Sequence, residues 1–105
     1  MAKAITSAEF DSVIAGADKP VLVDFWASWC GPCRALGPVI DQISQEMADR
    51  LKVYKANVDE EAELATRFGI VSIPTLILIK DGRPVHTMVG NMPKPALVSE
   101  LEAHL

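Results

Sequence analysis

Cysteine is scarce in this 105-residue chain, long apolar runs are missing, and charge never collects in a block of one sign. Two cysteines, Cys30 and Cys33, fall far short of the bridge density that holds small secreted scaffolds together. With half its residues apolar, a chain of this length can bury roughly two thirds of its unfolded surface and needs no staples. No apolar stretch approaches the ~20 residues of a membrane helix. The segment from Met1 to Phe10 holds no continuous apolar run of signal-peptide length. The formal net charge is −4, with acids and bases interspersed, so neither nucleic acid nor an anionic membrane is expected as a partner. There is no repeat, low-complexity tract or linker, and one domain over residues 1–105 is expected. The chain is expected in the cytoplasm. Thiols are kept reduced there, and a cysteine pair is catalytic or metal-binding more often than structural.

The pattern that is present alternates strand and helix. After a weak strand around Lys3 to Thr6, Thr6 and Glu9 form a capping box. The spacing predicts a first helix from Thr6 or Ser7, with Phe10, Val13, Ile14 and Ala17 on its apolar face. Val21 to Ala27 is apolar on both faces apart from Asp24, the signature of a central strand covered on both sides. A helix from Pro32 to about Ala48 follows, interrupted by Gly37-Pro38; its apolar period continues beyond the proline, which predicts one kinked helix. Leu51 to Val58 reads as a strand, and Glu60 to Phe68 as a short helix closed by Gly69. Pro74 to Lys80 and Arg83 to Val89 read as a hairpin around Asp81-Gly82. The last helix runs from about Pro93, with Leu97, Val98, Leu101 and Leu105 inward. Such an order predicts an α/β fold: a mixed sheet of about five strands, the last two an antiparallel hairpin, flanked by about four helices on both faces.

The two cysteines stand in Trp29-Cys30-Gly31-Pro32-Cys33, where the central strand gives way to the long helix. A structural bridge would close a loop of about four residues, worth only ~2 kcal/mol before strain. A structural zinc site wants four ligands, and only His86 and His104 remain, far apart in sequence; no metal is expected. A redox pair fits better. Pro32 suits a first helical turn, which puts Cys30 at the helix N-terminus, where free N–H groups and the helix dipole stabilise a thiolate. Cys33 shares that face and is expected to be the more buried. Cys30 would then attack a substrate disulfide and Cys33 would resolve the mixed disulfide. Asp24 is the single acid of its strand. Placed at a solvated edge it would be ordinary; buried, its pKa would rise and make it a proton acceptor near neutral pH.

Trp-Cys-Gly-Pro-Cys after an apolar strand that carries Asp24, Ile73-Pro74-Thr75 ahead of a later strand, Asp81-Gly82 and Val89-Gly90 together resemble the thioredoxin family over essentially the whole chain. The resemblance implies a thioredoxin fold and a general protein-disulfide reductase acting as a monomer. It implies no bound cofactor, with electrons drawn from NADPH through a flavin-containing thioredoxin reductase, and diverse disulfide-containing proteins as substrates. It assigns Asp24 to proton exchange with Cys33 and makes Lys55 the lysine beside that acid, where an ordinary surface lysine is the alternative. It makes the Ile73–Pro74 bond cis and the Ile73 backbone a docking edge. Trp29, Gly31, Pro32, Ile73, Pro74, Val89 and Gly90 would form a flat apolar surface around Cys30, although Trp29 and Ile73 would serve equally well as core. Arg34, where a lysine is frequent in the family, keeps the positive charge, whereas Ser72 and Asn91 depart from the commonest pattern in a way that bears on substrate preference, not on the chemistry. His86 and His104 are expected at the surface. Two other functions remain open on the residues alone: an oxidase or isomerase on the same scaffold, and a binding or assembly subunit whose thiols are incidental.

Overall fold

In the computed structural model, which describes all 105 residues, the elements follow in the order β1 (Lys3–Ala4), α1 (Phe10–Ala15), β2 (Val21–Trp26), α2 (Gly31–Glu46), β3 (Lys52–Asn57), α3 (Ala62–Arg67), β4 (Thr75–Lys80), β5 (Arg83–Val89) and α4 (Lys94–His104). The sheet order is β1-β3-β2-β4-β5. β2 lies at its centre, parallel to β3 and antiparallel to β4. Strand alternation then explains the two cores. Leu22 of β2 packs with Leu76, Leu36, Ile40, Leu97 and Leu101 on the α2/α4 face. Val21, Val23 and Phe25 pack with Ile77, Phe10 and Leu64 on the α1/α3 face. A strand buried on both faces has no place for polar residues, and β2 carries one, Asp24.

Most element ends lie within two residues of the expected ones; α1 is the exception. It begins at Phe10 rather than at Thr6 or Ser7, because residues 7–9 form turns. The capping box is nevertheless made: the Thr6 N–H donates to Glu9 Oε2 at 2.9 Å and the Glu9 N–H donates to Thr6 Oγ1 at 3.2 Å. The box therefore closes the lead-in turn, and helical backbone bonds start one turn later. α2 runs unbroken through Pro38. Its apolar face, Leu36, Ile40 and Ile43, is fully buried, and that packing outweighs the one backbone bond the proline cannot donate.

The β4–β5 hairpin turns on Asp81 and Gly82, with φ of 53° and 78°. Two successive positive φ values match the right-handed twist of the strands. A Cβ on Gly82 would meet nothing within 4 Å, so the cost of a side chain there is conformational. We expect Gly82→Ala to lower stability by about 1 kcal/mol, read as an earlier urea midpoint at an unchanged m-value. β5 is an edge strand. The pairing shifts register between Leu78 and Ile79, so that Val85 faces no partner and stands 43% exposed; Pro84 sits where an edge tolerates its missing donor.

At the far side of this strand His104 is exposed and His86 partly so, and the two meet across the fold. The α4 helix folds back along β5, and their rings stack at 4.0 Å with 15° between planes. His86 is half-buried, and its Nε2 lies 2.8 Å from Glu100 Oε1.

Candidate active site

β2 ends at Trp26, a turn closed by the Cys30 N–H on the Ala27 carbonyl (3.2 Å) follows, and α2 begins at Gly31. Cys30 is thus the residue flanking the helix, in extended conformation, with Pro32 in the first turn. The Arg34 N–H donates to the Cys30 carbonyl at 3.1 Å, the first bond of the helical ladder. The Cys33 N–H instead donates to Cys30 Sγ at 3.2 Å. A side-chain acceptor at a helix N-terminus satisfies a donor that has no helical partner; here that acceptor is the sulfur itself. The same N–H would favour a thiolate at Cys30 once the pair is reduced. Cys30 and Cys33 are joined as a disulfide, with Cα atoms 5.2 Å apart. The expected difference in burial is almost absent: Cys30 is 5% and Cys33 3% exposed. What distinguishes the two is position, since Cys30 flanks the helix and Cys33 lies inside its first turn.

Asp24 is buried at 3% exposure, with Lys55 beside it in β3 and Leu76 beside it in β4. Its Oδ1 accepts no hydrogen bond from the protein. Burial pushes its carboxyl up to about 7; Lys55 pulls the other way, and Asp41 of α2 adds to the rise. The Lys55 ammonium lies 5.4 Å from the Trp26 ring centroid, a cation–π contact. This half-buried lysine therefore packs on the aromatic ring, in register with the acid on the neighbouring strand, rather than standing free at the surface.

The Ile73–Pro74 peptide bond is cis, and the Ile73 carbonyl oxygen lies 3.8 Å from Cys30 Sγ. The Gly90 N–H donates to the Pro74 carbonyl at 2.8 Å, and Gly90 has a φ of 92° that strains any other residue. The end of β5 is thereby tied to the proline loop. Around the sulfurs, Trp29 is 67% and Val89 62% exposed, Gly31 and Pro32 are exposed, and Ile73 and Gly90 are half-buried. Pro74 departs from the expected surface: it is buried rather than presented.

Four residues near the site escape the sequence reading. Asp59 Oδ2 accepts from Trp29 Nε1 at 2.8 Å across 30 positions of chain. Val58, Ile70 and Val71 join Trp29 and Ile73 around a small depression. The parallel pairing of β2 with β3 puts their C-terminal ends side by side, so Val58-Asp59 was findable from topology once that pairing was assumed. Nothing in the sequence marks Val71.

Comparison with known proteins agrees with this geometry. Residues 1–103 match the family model described as Thioredoxin. Thioredoxin 1 of Synechococcus elongatus is 50% identical over the whole of this chain and 98% of its own length. A thioredoxin of Alicyclobacillus acidocaldarius is 54% identical over 92% of this chain and 91% of its own. The chloroplastic M-type thioredoxin of Pisum sativum is 42% identical over 96% of this chain, which spans 59% of that protein. No helix is long and apolar enough to cross a membrane.

Proposed function

The chain belongs to the thioredoxin family and is a thiol–disulfide oxidoreductase that reduces protein disulfides, and we propose how its residues divide that work. The observation that carries the proposal is the Cys30–Cys33 pair at the start of α2, with the Cys33 N–H on the Cys30 sulfur. In the reduced chain the Cys30 thiolate attacks one sulfur of a substrate disulfide. A Cys30–substrate bond forms, and the second substrate sulfur leaves as a thiolate that takes up a proton. Cys33 then gives its proton to Asp24 and attacks Cys30. The mixed disulfide breaks, the Cys30–Cys33 bond forms, and the remaining substrate sulfur leaves and is protonated. Two electrons pass from chain to substrate; one of the two protons comes from Cys33 by way of Asp24, and the other, given up to water when the Cys30 thiolate formed, returns from water.

Asp24 suits the proton step because its carboxyl titrates at about 7, where it can both take and return a proton. Lys55 supplies the positive charge that keeps this value from rising further. The Ile73 backbone, 3.8 Å from Cys30 Sγ, offers an edge for an extended substrate chain, with Pro74 and Gly90 holding that edge in place. Trp29, Gly31, Pro32 and Val89 give it an uncharged surround. The redox pair is itself the electron carrier and needs no bound cofactor. For its re-reduction we propose a flavin-containing thioredoxin reductase fed by NADPH, with the chain acting as a monomeric single domain in the cytoplasm.

The test is reduction of a protein disulfide, first with dithiothreitol and then with NADPH and a thioredoxin reductase. Acceleration in both is expected. No gain over dithiothreitol alone would refute the reductase, and gain with dithiothreitol only would refute the proposed electron source. Titration of the pair against glutathione should give a couple more reducing than the glutathione pool; a more oxidising one would favour the oxidase or isomerase reading.

A further inference from the structure

The N-terminal segment is bonded to two charged residues that face the buried acid. Leu22 and Val53 pack with Ile40 of α2, and strand alternation puts Asp24 and Lys55, two residues further along, on that same face of the sheet. Ala4 of β1 pairs with Lys55, so Ala4, Lys55 and Asp24 form one row across β1, β3 and β2. The Ile5 N–H fastens the row by donating to the Lys55 carbonyl at 3.0 Å. Two residues before Ala4, the buried Ala2 joins the core that α2 covers. Its N–H donates to Asp41 Oδ1 of α2 at 3.1 Å.

No ion pair offsets Asp41. The five ion pairs of the molecule involve neither Asp41, Asp24 nor Lys55. The other acid of α2, Glu46, is by contrast tied to Lys94 at 2.8 Å. One turn away from the half-buried Asp41, α2 carries Gly37, Pro38, Ser44 and Gln45, all uncharged. The cations that flank Ala2, the Met1 ammonium and Lys3, are both exposed. A single backbone N–H therefore fixes where this carboxylate stands. Asp24 is faced by Lys55 from β3 and by Asp41 from α2, whereas its β4 partner is Leu76 and α4 brings Leu97 and Leu101 to the same core. The two charges oppose each other: Lys55 favours the ionised carboxyl and Asp41 the protonated one. Buried charges are screened little by salt and water, so both act on Asp24 without touching it.

We propose that Asp41, pinned by the Ala2 N–H, is a positioning residue for the proton step: its charge opposes that of Lys55 at Asp24, and the N-terminal segment sets the balance by holding Asp41 directly and pairing with the strand of Lys55. This rests on the reading of Asp24 as the proton acceptor for Cys33. It gives the first residues of the chain, remote in sequence from the redox pair, a part in the exchange. Without the Asp41 charge the Asp24 carboxyl ionises more readily and is a weaker base when Cys33 must lose its proton.

The experiment titrates Asp24 by NMR of its side-chain carboxyl carbon in the oxidised chain, where neither sulfur takes up a proton, and records the pH profile of disulfide reduction beside it. Asp41→Asn keeps an oxygen for the Ala2 N–H and removes the charge. The Asp24 midpoint should fall to lower pH, the reverse of the shift expected when Lys55 loses its charge, and the inflection in the rate profile should follow it. Ala2→Pro keeps the charge and removes the donor, and should lower the midpoint too. Glu46→Gln, the same loss of charge on the same helix, should leave it in place. A midpoint unmoved in Asp41→Asn, or moved equally by Glu46→Gln, would overturn the proposal and leave the proton-acceptor reading intact. A midpoint unmoved in Ala2→Pro would overturn the part given to the N-terminal segment. A midpoint that falls while the rate inflection stays would overturn the proton-acceptor reading and, with it, the part of Asp41 in the reaction.

Discussion

Cys30→Ser should leave a folded chain whose disulfide-reducing turnover is lower by about 10⁴-fold or more, the scale of loss when a nucleophile is removed. Cys33→Ser should behave differently. It keeps the attacking sulfur and loses the resolving one, so it should react once and stop as a mixed disulfide on Cys30, visible in intact-mass spectra as the substrate's added mass. Unfolding does not explain either outcome, because the lost bridge closes a loop of about four residues and contributes only ~2 kcal/mol. Melting curves of both variants, compared with reduced wild-type chain, check that point. The assignment depends on position rather than on burial, since the two sulfurs are almost equally covered. If Cys33→Ser lost all reaction and Cys30→Ser accumulated the adduct, the roles would be reversed and the helix-terminus argument would be wrong.

Much of this was legible in the residues because local and global signals agree. β2 reads as a central strand since both its faces are apolar, and the sheet puts it in the middle with one core on each side. Asp81-Gly82 reads as a two-residue turn since it tolerates positive φ, which both residues adopt. Pro38 alone would have argued for a broken helix; the apolar period argued for one helix, and burial of Leu36, Ile40 and Ile43 decided the matter. The start of α1 was missed because a capping box fixes a hydrogen-bonding pattern, not the number of residues between box and helix. The stacking of His86 on His104 was missed because it depends on where α4 lands on β5, a tertiary fact with no local trace.

The site divides in the same way. Cys30, Cys33, Asp24 and the Ile73-Pro74 loop are each conspicuous in their segments: thiols at a helix start, an acid in an apolar strand, a proline at a strand's beginning. Chemistry that breaks the local pattern is visible for that reason. The apolar surface beside the pair breaks no pattern. Val58, Ile70 and Val71 look like core residues in sequence, and Asp59 like a surface acid. Only the fold turns the valine outward and brings the acid to the Trp29 indole. The same tie gives Trp29 a reason to stand exposed in a fixed orientation, where the sequence left it divided between surface and core.

Asp24→Ala should make the chain more stable and less active, and the gain should depend on pH in a stated direction. In the folded chain the carboxyl holds its proton up to about pH 7, against a reference value of 3.8. Between these values the folded state binds more protons than the unfolded one, so wild-type stability falls as pH rises from about 4 to 7 and levels off above. A shift of that size corresponds to at most about 4 kcal/mol of destabilisation by the charged, buried carboxylate at pH 8, and to none near pH 4. The alanine variant lacks this cost, less whatever packing the smaller side chain gives up. Urea melts at pH 5 and pH 8 should therefore show the variant's advantage widening with pH. Turnover should fall by about 10²-fold, the lower end of what a positioned general base supplies, and the inflection near pH 7 in the wild-type rate profile should vanish. Lys55→Met keeps the acid but removes the charge that holds its pKa down, so that inflection should move to higher pH instead of disappearing. Lower stability with unchanged turnover in Asp24→Ala would mean that the acid supports the fold and takes no part in the exchange, and Cys33 would then have to lose its proton to water.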